Sequence, residues 1–177
     1  MRLFIAVDIP AEVRDSIENI KPDFRLLKGL RFVEKDNIHI TLKFLGEVEE
    51  ELIPDMILAL ESVKFKPFKL SISKLGVFPN ENNMRVLWVD AEPIGPLSEL
   101  KKKIDAALPG ARDNHLFKNH ITIARITTGA PEDMKKINEL VMNKEIEKKE
   151  FFVRKFILYS STLTPEGPVY EVLKVFS

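Results

Sequence analysis

The four residues His39-Ile40-Thr41-Leu42 return almost unchanged as His120-Ile121-Thr122-Ile123. In an extended chain, residues i and i+2 share one face and i+1 and i+3 share the other. Each copy therefore sets a histidine and a threonine side by side above two buried aliphatic side chains. The β-branched, alternating pattern is that of a half-buried strand. The fold has to supply two such strands, one in each half of the chain. A single His-x-Thr would carry little weight, because threonine is common in strands. The chain has only 3 histidines, however, and two of them open the pattern. Histidine titrates near neutral pH, so a pair can give one acid and one base to a single reaction. With a hydroxyl donor beside each ring, two converging copies would form a site shaped for a phosphate ester.

Composition narrows the setting. A chain of 177 residues, 45% apolar, makes one compact domain or two lobes sharing a core. No apolar run approaches the roughly 18 residues of a membrane-spanning helix. The opening MRLFIAVDIP reads as a first strand, Leu3 to Val7, rather than a secretory signal. The absence of cysteine excludes disulfides, thiolate metal sites and cysteine nucleophiles. The 27 basic and 27 acidic residues balance, which argues against a protein gripping long nucleic acid by its backbone but allows one that holds a single end. Abundant lysine and glutamate with no glutamine or cysteine is a thermophile tendency. A cytoplasmic protein is expected.

Periodicity and turn residues outline the elements. A helix is expected from Ala11 to about Leu27, then strands at residues 30–33 and 38–45, the second ended by Gly46. A helix over 49–62 follows, then a strand from Phe68 to Leu75, a turn around Pro79–Asn83 and a strand from Met84 to Val89. The second half offers a helix from Pro96 to Leu108, a loop carrying Arg112, His115 and Lys118, and a strand from Ile121 to Ile126. A helix from Pro131 to Asn143 comes next, then strands Phe151–Ser160 and Val169–Phe176 around a Pro-Gly turn. This order predicts an α+β fold over residues 1–177. It would be a single domain of two pseudo-symmetric lobes, with mostly antiparallel sheets, helices outside and a central cleft between the motif strands.

At these residues the chain resembles the 2H phosphoesterase superfamily, and within it the RNA 2′,3′-cyclic phosphodiesterases, also called 2′-5′ RNA ligases. The resemblance rests on Arg2-Leu3-Phe4-Ile5-Ala6, on the block from Asn37 to Gly46 and on the run His120 to Arg125, and it extends over essentially the whole chain. It departs where the family often has proline before the second histidine, here Asn119, and tryptophan at the position of Phe32. The resemblance implies opening of a 2′,3′-cyclic phosphate at an RNA 3′ end to a 2′-phosphate, with 2′-5′ ligation as the reverse. It further implies His39 as proton donor, His120 as proton acceptor, and Thr41 and Thr122 as donors to the phosphate oxygens. No cofactor and no metal are expected. The expected partners are RNA ends, with tRNA fragments as one candidate, and the chain is expected to be a monomer.

Arg125, Lys43 and Phe44 are candidate substrate contacts. Strict alternation puts Lys43 on the His39 face, at a solvated strand edge. It puts Phe44 on the apolar face and Arg125 opposite His120, unless a bulge re-aims it. Three rival readings stand beside this one. A zinc protein would need a third ligand, and Asp36, the nearest carboxylate, fits poorly. An RNA-end-binding module would bind without turnover. A related enzyme acting on another cyclic nucleotide or a 2′-5′ oligonucleotide would use the same four polar residues.

Overall fold

The structure is a computed structural model, and it describes residues 1–110, 117–127, 129–165 and 167–177. Among the described residues ten strands are formed: β1 (Arg2–Asp8), β2 (Leu30–Phe32), β3 (His39–Glu47), β4 (Phe68–Ile72), β5 (Leu75–Asn80), β6 (Asn83–Asp90), β7 (His120–Ile126), β8 (Lys149–Val153), β9 (Phe156–Leu163) and β10 (Pro168–Phe176). The helices are α1 (Ala11–Glu18), α2 (Ile53–Glu61), α3 (Ile94–Ala107) and α4 (Pro131–Asn143). One sheet runs β10-β9-β1-β3, a second runs β2-β7-β6-β5, and β4 pairs with β8 alone. Every strand pair is antiparallel. The α+β class expected from the sequence is the one observed. Among the described residues no helix is long and apolar enough to cross a membrane.

The halves of the chain are interlocked. β1 and β3 from the first half are joined by β9 and β10 from the second, while β7 from the second half joins β2, β6 and β5 from the first. The β4–β8 ladder ties the two together. The aliphatic residues of both motifs, Ile40, Leu42, Ile121 and Ile123, are fully buried in one core with Ile5, Val7, Leu87 and Val89. Each such side chain contributes about 1.5–3 kcal/mol by leaving water, which pins the strand faces. The helices close the core with one stripe each, such as Leu97, Leu100 and Ile104 of α3.

Several boundaries differ from the sequence expectation. The first helix stops at Glu18, and a 3₁₀ turn over Lys21–Phe24 follows. Pro22 has no N–H to continue an α-helix. The expected strand Phe68–Leu75 is two, because the buried Asp90 carboxylate accepts bonds from Ser73 N, Ser73 Oγ and Lys74 N and folds a turn between them. Likewise 151–160 divides at Arg154 and Lys155, where the chain leaves β4 to pair with β1. Gly46 does not end β3, which continues to Glu47 with Gly46 at φ +72°.

Candidate active site

The two motif strands sit in different sheets, β3 at an edge and β7 in the interior. Both are bulged at the same place. β1 pairs Ala6 with Thr41 and Ile5 with Lys43, skipping Leu42; β6 pairs Trp88 with Thr122 and Leu87 with Ala124, skipping Ile123. A bulge reverses the alternation beyond it. Lys43 and Ala124 therefore turn into the core, while Phe44 and Arg125 turn onto the faces that carry the motif histidines and threonines.

This corrects two expectations and meets the condition set on a third. Lys43 is not at a solvated strand edge on the His39 face. It is 4% exposed and donates to Asp105 at 2.6 Å, beside Lys101, which bonds the same carboxylate. Burial pushes the Asp105 carboxyl up, but the bonds from Lys101 and Lys43 outweigh it and hold the group below the usual carboxylate range. Phe44 is not an apolar-face residue, being 44% exposed on the His39 face with its ring 6.4 Å from Phe4. Arg125 has the bulge it required. Burial raises the Tyr170 pKa, and the charge of Arg125 opposes that rise.

Each histidine is clamped in the same way. His39 Nδ1 lies 2.7 Å from the Asn37 carbonyl, and His120 Nδ1 lies 2.7 Å from the Lys118 carbonyl. A carbonyl only accepts, so both Nδ1 atoms carry the proton, and in the neutral rings the lone pair is on Nε2. His39 Nε2 accepts from Thr41 Oγ1 at 2.9 Å. His120 Nε2 has no hydrogen-bond partner among the described residues, and neither has Thr122 Oγ1. The rings are near enough for a charge on one to disfavour a charge on the other.

Both rings are biased toward the neutral form. Burial pushes the His39 pKa down to about 4, with His120 and Arg14 adding to the fall and the Asn37 carbonyl and Asp8 opposing it. Burial also lowers the His120 pKa, against the pull of its bond to the Lys118 carbonyl. Aromatic rings supply the enclosure. Phe4 lies 5.1 Å from His39 and Tyr170 meets it edge-on at 5.4 Å, while Phe78 meets His120 edge-on at 4.9 Å.

Sequence reasoning missed these neighbours. Tyr170, Tyr159, Phe4 and Phe78 come from strands distant in the chain, and nothing in their local pattern marks them. It also missed Asp8, paired opposite His39 and bonded to Arg14 at 2.6 Å. Asn37 was within reach of a closer reading, since it stands two residues before His39. Its amide donates to Pro168 O at 2.9 Å, fastening the β9–β10 hairpin that carries Tyr170. Of the candidate loop residues, Arg112 and His115 lie outside the described residues, whereas Lys118 sits with its ammonium 4.4 Å above the Phe78 ring. Among the described residues, no three His, Asp or Glu side chains gather as a metal site.

The chain matches the family model described as LigT like Phosphoesterase twice, over residues 7–88 and 89–170. It is 40% identical to the RNA 2′,3′-cyclic phosphodiesterase of Methanocaldococcus jannaschii, covering 98% of this chain and 99% of the relative. It is 38% identical to the protein of the same name from Archaeoglobus fulgidus, covering 99% of each. Among solved structures it superposes on a Thermus thermophilus protein with TM-score 0.81 at 33% identity, covering 100% and 97% of the two chains. It superposes equally on Escherichia coli LigT complexed with 3′-AMP, with TM-score 0.81 at 29% identity, covering 99% and 96%.

Proposed function

The chain belongs to the LigT-like phosphoesterase family, and from that premise we propose that it is an RNA 2′,3′-cyclic phosphodiesterase, opening the terminal cyclic phosphate to a 2′-phosphate. The observation that carries this reading is the shared clamp. Two histidines on strands of two sheets are each fixed by an Nδ1–H bond to the carbonyl two residues earlier, which leaves Nε2 as the reactive nitrogen of both.

His120, whose Nε2 has no partner among the described residues, takes a proton from water as general base. The water oxygen bonds to phosphorus as the bond to the 3′ oxygen breaks. His39 Nε2–H gives its proton to that oxygen, leaving a 3′-hydroxyl and a 2′-phosphate. His39 is neutral when the site is empty, because burial holds its pKa near 4. The phosphodiester anion supplies the opposite charge that favours its imidazolium. Thr41 then donates to a phosphate oxygen rather than to Nε2, Thr122 does the same from β7, and Arg125 offsets the phosphate charge. Phe44 offers its exposed ring to the terminal nucleoside.

In the reverse direction an RNA 5′-hydroxyl stands in for water and a 2′-5′ linkage forms. The same reading treats the chain as one domain of two pseudo-symmetric lobes, working as a cytoplasmic monomer without metal or cofactor. The test is incubation in EDTA with an oligoribonucleotide ending in a 2′,3′-cyclic phosphate, beside His39→Ala and His120→Ala proteins. A 2′-phosphate product formed by the wild type and lost in both variants is expected. Turnover only after adding zinc, or binding without turnover, would overturn the reading.

A further inference from the structure

The faces on either side of the two histidines are both aromatic, but they are packed differently. Beside His39 the central ring is buried under its neighbours. Phe4 is 4% exposed, stacked on Tyr159 at 5.1 Å and met edge-on by Tyr170 at 4.8 Å. Beside His120 the rings form a part-exposed row. Phe78, edge-on to His120, stacks on Trp88 at 4.9 Å. The Trp88 indole lies against Gly76, where a Cβ would come within 2.1 Å of the ring. Its Nε1 is buried and unpaired, so the ring is held by stacking and by the bare glycine backbone rather than by a hydrogen bond.

The row leads out of the catalytic face. Trp88 also lines a groove of about 560 Å³ along the outer edge of β5, shared with Lys74, Gly76, Asn80 and Asn82. That volume falls within the range of small-ligand sites. Lys118 sits over Phe78 at the inner end and the exposed Lys74 stands at the outer end. Aromatic faces flanked by cations are how single-stranded RNA is held without base-edge readout.

Resting on the activity proposed above, we propose that Phe78 and Trp88, with Lys118 and Lys74, form a stacking subsite for the nucleotide on the 5′ side of the cyclic phosphate. The enzyme then senses an RNA strand rather than a single nucleotide. Stacking of one base contributes about 1–3 kcal/mol, so a diribonucleotide ending in a 2′,3′-cyclic phosphate should exceed a 2′,3′-cyclic mononucleotide in kcat/KM by about tenfold or more.

The chain has 1 tryptophan, so its fluorescence reports this subsite alone. The experiment measures both kcat/KM values for the wild type, Trp88→Leu and Lys74→Glu. It also titrates the wild type with the 2′-phosphate mononucleotide and diribonucleotide products while following tryptophan emission. The expected result is a substrate ratio that collapses toward one in Trp88→Leu and falls several-fold in Lys74→Glu, with quenching by the diribonucleotide only. Should Trp88→Leu fail to fold, Lys74→Glu and the emission titration carry the test. A wild-type ratio near one, or equal emission changes with both products, overturns the subsite. If neither substrate is opened, the proposed activity fails, and the emission titration still decides the subsite.

Discussion

The His39 and His120 regions share a four-residue motif, a bulge at the same position and an identical Nδ1 clamp, yet they are not electrostatic equals. His39 is enclosed by Phe4 and Tyr170, its Nε2 bonded to Thr41 and its pKa pushed down to about 4. His120 has Phe78 on one edge, Lys118 close by and no Nε2 partner among the described residues. The aspartates opposite them diverge too. Asp8 pairs opposite His39 and is ion-paired with Arg14 and Lys155, whereas Asp90 pairs opposite His120 but is spent on the Ser73–Lys74 turn. The repeated residues therefore fix geometry, and the residues that do not repeat fix charge. One scaffold can thus carry two histidines with different jobs.

The sharpest way to break this pairing is to remove one ring at a time. His39→Ala and His120→Ala should each lower kcat on a 2′,3′-cyclic phosphate end by about 10²–10⁴-fold. The double variant should lose little more than the worse single one, because an acid and a base acting on one step are not additive. Single-turnover rates check this. Two fully additive losses would mean that the histidines act on separate steps.

The next effect is one of pH on stability, and it separates the two rings. Unfolded histidine titrates near 6.5, and folded His39 near 4. Between those values the unfolded chain holds a proton that the folded chain refuses. Stability is complete above pH 6.5, falls as pH drops toward 4 and is level below that. The window corresponds to about 3 kcal/mol for His39, and the lowered pKa of His120 adds in the same sense. Denaturant midpoints from pH 7.5 to 3.5 measure it. His39→Phe should flatten the profile more than the same change at His120.

How far the sequence reaches is clear from which residues lie where alternation puts them. The four buried aliphatics and the four polar motif residues follow period two as far as the bulge, so they were legible. Beyond it, Lys43, Phe44 and Arg125 all change faces. A bulge is set by the partner strand, which one strand's sequence does not contain. Strand exchange between the halves was equally hidden. Loose repetition of elements suggested two lobes, but not that β7 and β9 would each pair with strands of the first half. The aromatic surroundings of His39 follow from that exchange, because Tyr159 and Tyr170 arrive from the other end of the chain.

Phe44 and Arg125 occupy matching positions after the two bulges, and their chemistry differs completely. Arg125→Ala should raise KM and lower kcat, reducing kcat/KM by about 10–100-fold, the loss expected of a charge-assisted bond to phosphate. Phe44→Ala should cost only a few-fold, through KM, because an exposed ring offers stacking area and no charge. Steady-state kinetics at two salt concentrations separate them: added salt should narrow the gap between wild type and Arg125→Ala and leave the Phe44→Ala ratio unchanged. A salt-insensitive Arg125 would mean that its guanidinium serves the fold rather than the phosphate.

The smallest effect tests the matching pair turned inward, Lys43 and Ala124. The second half fills this place with a methyl group, whereas the first half buries an ammonium against Asp105 and Lys101. Asp105 remains 40% exposed, so solvent screens the pair and its attraction is worth far less than a fully buried bridge. Lys43→Met keeps the apolar stem, removes the charge and leaves Asp105 its bonds from Lys101. The expected cost is about 1 kcal/mol in stability, with KM for RNA unchanged at low and high salt. Lys43→Ala should cost more, since it also empties the space of the stem. Unfolding midpoints and KM together decide the matter, because a lysine that met RNA backbone would raise KM at low salt and leave the midpoint alone.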